Sequence, residues 1–114
     1  MKIETRVVGD VVVLLFPGPI VIGVYDEFQW AVSDFLQGDR KKILLNLAGV
    51  PYVDWSGLMA LVRVHELASK QGVKLKFSNL VKKVQDLLAI TKLLTVLEVC
   101  TSEEEAIEEF NTPS

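Results

Sequence analysis

The spacing of hydrophobic residues along the chain switches between a period of two, typical of strands, and a period near 3.6, typical of helices. Within residues 3–7 every second side chain is charged, and residues 11–16 form an apolar run. Gly9 and Asp10 lie between these segments, and such a pair between two strand-like runs predicts a two-residue hairpin turn. We therefore expect the chain to begin with two antiparallel strands.

Helical spacing of apolar residues follows in several places. A first helix is predicted over about 24–38 and a second over about 56–71, each ending at a glycine. Asn79 is expected to cap a third helix. Ser102 and Glu105 have the spacing of a capping box and predict the start of a fourth. The predicted buried face of the second helix consists of Leu58, Leu61, Val62, His65 and Ala68.

The remaining strands are read from shorter apolar runs. Residues 43–47 are nearly continuously apolar, which is typical of a strand covered on both faces. Apolar residues alternate with lysines over 73–77, so that strand is expected to have one solvent-exposed face or to lie near an edge of the sheet. A short strand is predicted at about 96–99, before the last helix.

This order of elements predicts an α/β fold within a single domain, residues 1–114. The β-α-β-α-β middle requires parallel strands joined by right-handed crossovers, and the N-terminal hairpin adds an antiparallel edge. We expect a mixed sheet of four to five strands with about four helices, mainly on one face.

Composition and charge argue against several classes of function. The 114 residues are 50% hydrophobic, and the mean hydropathy is +0.35. Two explanations are a hydrophobic core on both faces of the sheet and an apolar surface that binds a partner. The apolar runs are far shorter than the roughly 18 residues of a membrane span, and no signal peptide is expected. A net charge of −3 with scattered basic residues argues against nucleic acid. The single Cys100 fits a reducing compartment, and we expect a cytoplasmic protein.

Catalytic chemistry is hard to assemble from this sequence. One histidine and one cysteine cannot build a typical zinc site, and no glycine-rich phosphate loop is present. Ser56 and His65 are nine residues apart on one predicted helix, a separation of roughly 13 Å at 1.5 Å per residue. We therefore expect no metal, no cofactor and no enzymatic activity.

The most specific segment is residues 43–58, ILLNLAGVPYVDWSGL. Asp54 is the natural N-cap of the second helix. Gly57 lies in the first turn, where it costs about 1 kcal/mol relative to alanine, which suggests that something approaches the backbone closely. Trp55 has two readings: a ring folded under the loop into the core, or an exposed anchor of the kind that dominates protein interfaces.

Residues 47–58, together with the order of elements around them, resemble the STAS family, named for sulphate transporters and anti-sigma factor antagonists. The likeness continues through the Gly72 stop, the strand 74–77 and the ending 101–106. It implies a non-catalytic domain whose helix start docks on an anti-sigma factor with serine kinase activity and so regulates transcription. In stand-alone members the kinase phosphorylates the residue directly after the motif's aspartate. That residue is Trp55 here, which cannot accept a phosphate.

The resemblance assigns the partner-binding residues and leaves several readings of function open. Ser56 is the remaining hydroxyl at the motif and the predicted phosphoacceptor, if a kinase acts at all. The alternatives are an accessory subunit of a lipid transporter ATPase, or a sensor of small molecules or nucleotides beside the helix start. A homodimer is compatible with each. The expected partner-binding residues are Asp54, Trp55, Ser56, Gly57, Leu58 and Met59.

Overall fold

One five-stranded sheet with helices packed against it makes up the fold. The computed structural model describes residues 1–112, and within them five strands form one sheet in chain order. Four helices are present in the same range. The strands are β1 (Glu4–Val8), β2 (Val11–Leu15), β3 (Lys42–Asn46), β4 (Lys74–Ser78) and β5 (Val99–Cys100). The helices are α1 (Tyr25–Leu36), α2 (Trp55–Lys70), α3 (Lys82–Ile90) and α4 (Glu103–Asn111).

The sheet is mixed, as the sequence predicts. β1 and β2 pair antiparallel with Val8 opposite Val11, and Gly9 adopts a φ of +61° in the two-residue turn between them. The three later pairings are all parallel. The N-terminal hairpin, the parallel middle and the strand at 43–47 are therefore confirmed.

Both faces of the sheet are covered. Alternate residues of the strands point to opposite sides, so Val12 and Leu45 pack in the larger cluster with α1, α2 and α3, whereas Val13 and Leu44 pack with α4. Phe110 of α4 is part of the second cluster. The high hydropathy thus has a structural origin in two cores, with the helices mainly on one face.

The predicted strand at 96–99 is wrong in its position, because β5 comprises Val99 and Cys100. Residues Leu93–Thr95 form a 3-10 turn, and the amides of Val96 and Leu97 both donate to the carbonyl oxygen of Leu93. Those amides are therefore committed to the turn and cannot join the sheet.

The predicted cap of α3 is also wrong. α3 begins at Lys82 after Val81, and no side chain caps it. Asn79 instead has a φ of +59° directly after β4. Asparagine tolerates this left-handed conformation better than most residues, so Asn79 turns the chain out of the strand rather than starting the helix.

The buried face of α2 lies one position away from the predicted one at its middle. Val64 and Ala60 are fully buried, whereas Val62 and His65 are half-buried. α1 packs alongside α2, and Gln29 Nε2 donates to the carbonyl oxygen of Ala60 at 2.9 Å. The buried line of α2 therefore runs through Ala60 and Val64, and the prediction that His65 lies on the buried face is wrong.

The start of α4 contacts strands β1 and β3 through Glu103. Ser102 Oγ accepts from the Glu105 amide at 3.1 Å, which confirms the predicted N-cap. Glu103 accepts two hydrogen bonds from the Arg6 guanidinium, at 2.8 and 2.9 Å, and one from Asn46 Nδ2 at 3.0 Å. Charge-assisted, bidentate pairs of arginine and carboxylate are stronger than single neutral hydrogen bonds.

Acid is expected to weaken this contact. The hydrogen bonds from Arg6 hold the pKa of the Glu103 carboxyl below its ordinary value of 4.5. A lowered folded-state pKa contributes stability above the unfolded pKa, and this contribution is lost as the pH falls through the folded value. Glu103→Gln should therefore lower the free energy of unfolding more at about pH 7 than at about pH 3 in urea titrations.

Glu104→Gln is the matched control for this prediction. It removes the same charge from the same first turn of α4, and Glu104 is exposed. An equal pH dependence in the two variants would show that the effect belongs to the helix terminus in general and not to the Arg6 contact.

Candidate docking site at the N-terminus of helix α2

Two loops meet at the start of α2. Ile20 forms a parallel bridge with Val53, and the amide of Ile20 donates to the carbonyl oxygen of Tyr52 at 3.3 Å. The amide of Asp54 donates back to the carbonyl oxygen of Ile20 at 3.3 Å. The loop after β2 is thereby held against the loop after β3, and both support the first turn of α2.

The Asp54 carboxylate joins these two loops a second time. Oδ1 accepts from the Gly57 amide at 2.7 Å, which confirms the predicted N-cap of α2. Oδ2 accepts from the Ile22 amide at 3.0 Å. One side chain therefore satisfies a free donor of the helix and also fixes the 3-10 turn Ile22–Val24 beside it.

Replacement of Asp54 should loosen this end of the helix. We expect Asp54→Ala to cost about 1–2 kcal/mol in the free energy of unfolding, since the N-cap bond alone is worth about 1 kcal/mol. Asp54→Asn keeps only one acceptor oxygen and should fall between the wild type and Asp54→Ala. Urea unfolding of the three proteins measures the order, and equal stability of Asp54→Ala and wild type would contradict this role for the carboxylate.

Gly57 has the close neighbour that its position suggests. A Cβ built on Gly57 would lie 1.9 Å from the carbonyl oxygen of Ile20 and 2.8 Å from its carbonyl carbon. The approaching group is therefore backbone from the loop after β2. The inference that something comes close to this turn is confirmed, and the group belongs to the chain itself.

Trp55 is exposed, which excludes the reading of a ring folded under the loop into the core. It is the first residue of α2, and 69% of its surface is accessible. Ile22 and Tyr52 lie on the two loops that meet there and are 74% and 43% exposed. Lys83 Nζ lies 5.5 Å from the centroid of the Tyr52 ring, so a cation borders this apolar surface. Monomeric surfaces rarely group large apolar side chains without a reason.

The structure separates the six predicted partner-binding residues into three groups. Gly57 and Leu58 are buried, with Leu58 fully enclosed in the core, so neither residue is available at the surface. Asp54 is half-buried behind the surface and holds it in place. Trp55, Ser56 and Met59 are accessible at least in part, and we define the α2 docking site as these three residues together with Ile22 and Tyr52.

Sequence reasoning missed the contribution of Ile22. Its place beside Trp55 depends on the contact between the Ile22 amide and the Asp54 carboxylate, 32 positions along the chain. Tyr52 stands within the motif at residues 47–58, three positions before Trp55, so its place near the start of α2 follows from the sequence. Ile22 carried none, because its segment reads only as the connection between β2 and α1.

The other side chains that could carry catalytic or metal-binding chemistry are not arranged for it. Cys100 Sγ donates to Glu109 at 3.4 Å, and burial raises the pKa of the Cys100 thiol to about 11. The donor atoms of Cys100, Glu105 and Glu109 lie within 4.8 Å of one another, but the Lys76 ammonium already contacts Glu109 at 3.5 Å. Ser56 and His65 lie on the continuous helix α2, as predicted, and cannot reach each other.

The fold is that of an α/β domain, and its family follows from comparison with known proteins. The model of the STAS domain family matches residues 2–106, and the chain belongs to that family. No curated protein matches the chain. Among residues 1–112, no helix is both long and apolar enough to cross a membrane.

Solved structures give the same picture. A candidate anti-sigma factor antagonist from Thermotoga maritima is 26% identical, with a TM-score of 0.88 over 96% of this chain and 95% of that one. An anti-sigma factor antagonist from Mycobacterium paratuberculosis is 14% identical, with a TM-score of 0.87 over 97% of this chain and 94% of its own. A sulfate transporter family protein from Wolinella succinogenes is 23% identical, with a TM-score of 0.78 over 91% of this chain and 87% of its own. The last two likenesses show a shared fold.

Proposed function

We propose that this protein is a non-catalytic interaction module that docks through the α2 docking site on an anti-sigma factor with serine kinase activity and so regulates transcription. The observation that carries the proposal is the exposed Trp55 ring at the position where stand-alone STAS proteins carry a phosphoacceptor. The likeness to anti-sigma factor antagonists in fold and length supports the choice of partner. The proposed role is cytoplasmic.

Trp55 makes this contact constitutive. A phosphate would bring a charge of about −1.5 to −2 into the centre of the surface and break the docking. An indole cannot be phosphorylated, and it supplies a large, rigid apolar area at low cost in conformational entropy. The protein is therefore proposed to remain competent for binding at all times, without the usual phosphoswitch at this position.

Capture from the native host tests this proposal, with the wild type and Trp55→Ala as paired baits and mass spectrometry as the readout. We expect a protein with a serine kinase domain that is retained by the wild type and lost by the variant. Retention of a transporter ATPase with the same dependence on Trp55 would favour the accessory-subunit alternative. Identical captures with both baits would overturn the docking role of Trp55.

Ser56 is the proposed acceptor if the captured kinase modifies this protein. Its side chain is half-buried at the second position of α2, where a phosphate would face the free amides of the helix start. We expect one phosphate on Ser56 after incubation with the kinase and ATP, detected by mass spectrometry and site mapping, and none in Ser56→Ala. A phosphate on Thr91 or Thr101 in the wild type would show that the acceptor lies elsewhere.

A further inference from the structure

The outward face of α1 carries a second exposed tryptophan. Trp30 is 77% exposed, although it stands between Phe28 and Val32, which are fully buried. Two positions along a helix correspond to a rotation of about 200°, so the indole points away from the core. Tryptophan is a weaker helix former than alanine or leucine and gains no burial here. Neither the helix nor the core accounts for it.

Negative charge surrounds this ring. Asp26 and Glu27 lie one turn before Trp30 and Asp34 one turn after it, and all three carboxylates are exposed. α1 contains no lysine, arginine or histidine. Glu27 pairs with the amino group of Met1, whereas within residues 1–112 no cation pairs with Asp26 or Asp34. The face is therefore an indole set among largely uncompensated carboxylates.

This combination is complementary to one kind of side chain in particular. The negative face of an indole attracts cations, and tryptophan does so best among the aromatic residues. A guanidinium can stack flat on the ring while its N–H groups donate to carboxylates at the rim, whereas an ammonium is a point charge and is more strongly hydrated. Nucleic acids and anionic membranes would be repelled by the same carboxylates.

We propose that the α1 face (Asp26, Glu27, Trp30 and Asp34) is a second docking surface, which binds an arginine-bearing basic segment of a partner protein. It is distinct from the α2 docking site. α1 nevertheless lies directly beside α2, with Gln29 bonded to the carbonyl oxygen of Ala60 at 2.9 Å. A partner seated on the start of α2 could extend an arginine-bearing segment along the neighbouring helix.

Fluorescence of Trp30 tests the proposal directly. The chain has two tryptophans, so Trp55→Phe leaves Trp30 as the only indole and the only source of tryptophan emission. The probes are two alanine-based helical peptides that carry either arginines or lysines at i and i+4. We expect a saturable change in indole emission, with a dissociation constant about tenfold lower for the arginine peptide than for the lysine peptide.

A matched pair of triple variants separates a specific surface from general charge attraction. Asp26→Asn/Glu27→Gln/Asp34→Asn should weaken binding of the arginine peptide by about tenfold or more. Asp39→Asn/Glu104→Gln/Glu108→Gln removes the same total charge from exposed positions elsewhere and should change it little.

Two results would overturn the proposal: no change in Trp30 emission with the arginine peptide, or equal weakening by the two triple variants. Because every protein in the experiment lacks Trp55, either failure leaves the function proposed for the α2 docking site untouched.

Discussion

Gly57→Ala is expected to destabilise the protein by about 3 kcal/mol, although alanine is the better helix former by about 1 kcal/mol. The added Cβ would lie 1.9 Å from the carbonyl oxygen of Ile20. That oxygen is backbone and accepts the amide of Asp54, so it cannot move without breaking the contact between the two loops. Steric overlap therefore outweighs helix propensity, and the sign of the effect is the opposite of what propensity alone gives.

Gly23→Ala is the matched control for this substitution. Gly23 lies in the neighbouring 3-10 turn, and a Cβ there would meet no atom within 4 Å. We expect its free energy of unfolding, from urea titration, to stay within about 0.5 kcal/mol of the wild type. A Gly57→Ala protein as stable as Gly23→Ala would contradict the described packing of Ile20 against the helix start.

Much of the fold can be predicted from the sequence, because the strands, turns and helix caps concerned depend on residues that are close together in the chain. The nearly continuous apolar run at 43–47 is typical of a strand covered on both faces, and β3 is such a strand. Asp54 could be assigned as a cap because its bond to the Gly57 amide is local. The hairpin at Gly9 likewise depends on two residues alone.

Some of the predictions that failed depend on distant contacts. Val62 and Val64 are equally apolar, and only the packing of α1 against α2 decides which of them is buried. The sequence also indicated a close approach at Gly57 but not the approaching group, because Ile20 lies in a different loop. Trp55 stands at the first position of its helix, before any periodicity can indicate a face, so both of its readings agreed with the pattern.

Trp55→Ala is expected to weaken partner binding with little effect on stability. An aromatic anchor at the centre of an interface contributes about 2 kcal/mol or more, which corresponds to roughly a thirtyfold change in affinity. The ring is 69% exposed in the free protein, so its removal takes little from the core. Loss of a buried tryptophan would instead cost about 3–5 kcal/mol of stability.

Ile90→Ala provides the control for this prediction. Ile90 is the last residue of α3, and its apolar side chain is 79% exposed, so the variant also removes accessible hydrophobic surface. We expect it to bind the partner as the wild type does, because the docking role belongs to Trp55 and its neighbours rather than to exposed apolar area in general.

The most direct measurement is calorimetric titration of the purified partner with the wild type and with Trp55→Ala, accompanied by the melting temperature of each. We expect the dissociation constant to rise about tenfold or more while the melting temperature stays within a few degrees. An unchanged dissociation constant for the folded variant, or a large drop in melting temperature, would contradict the account of Trp55 as a constitutive docking residue.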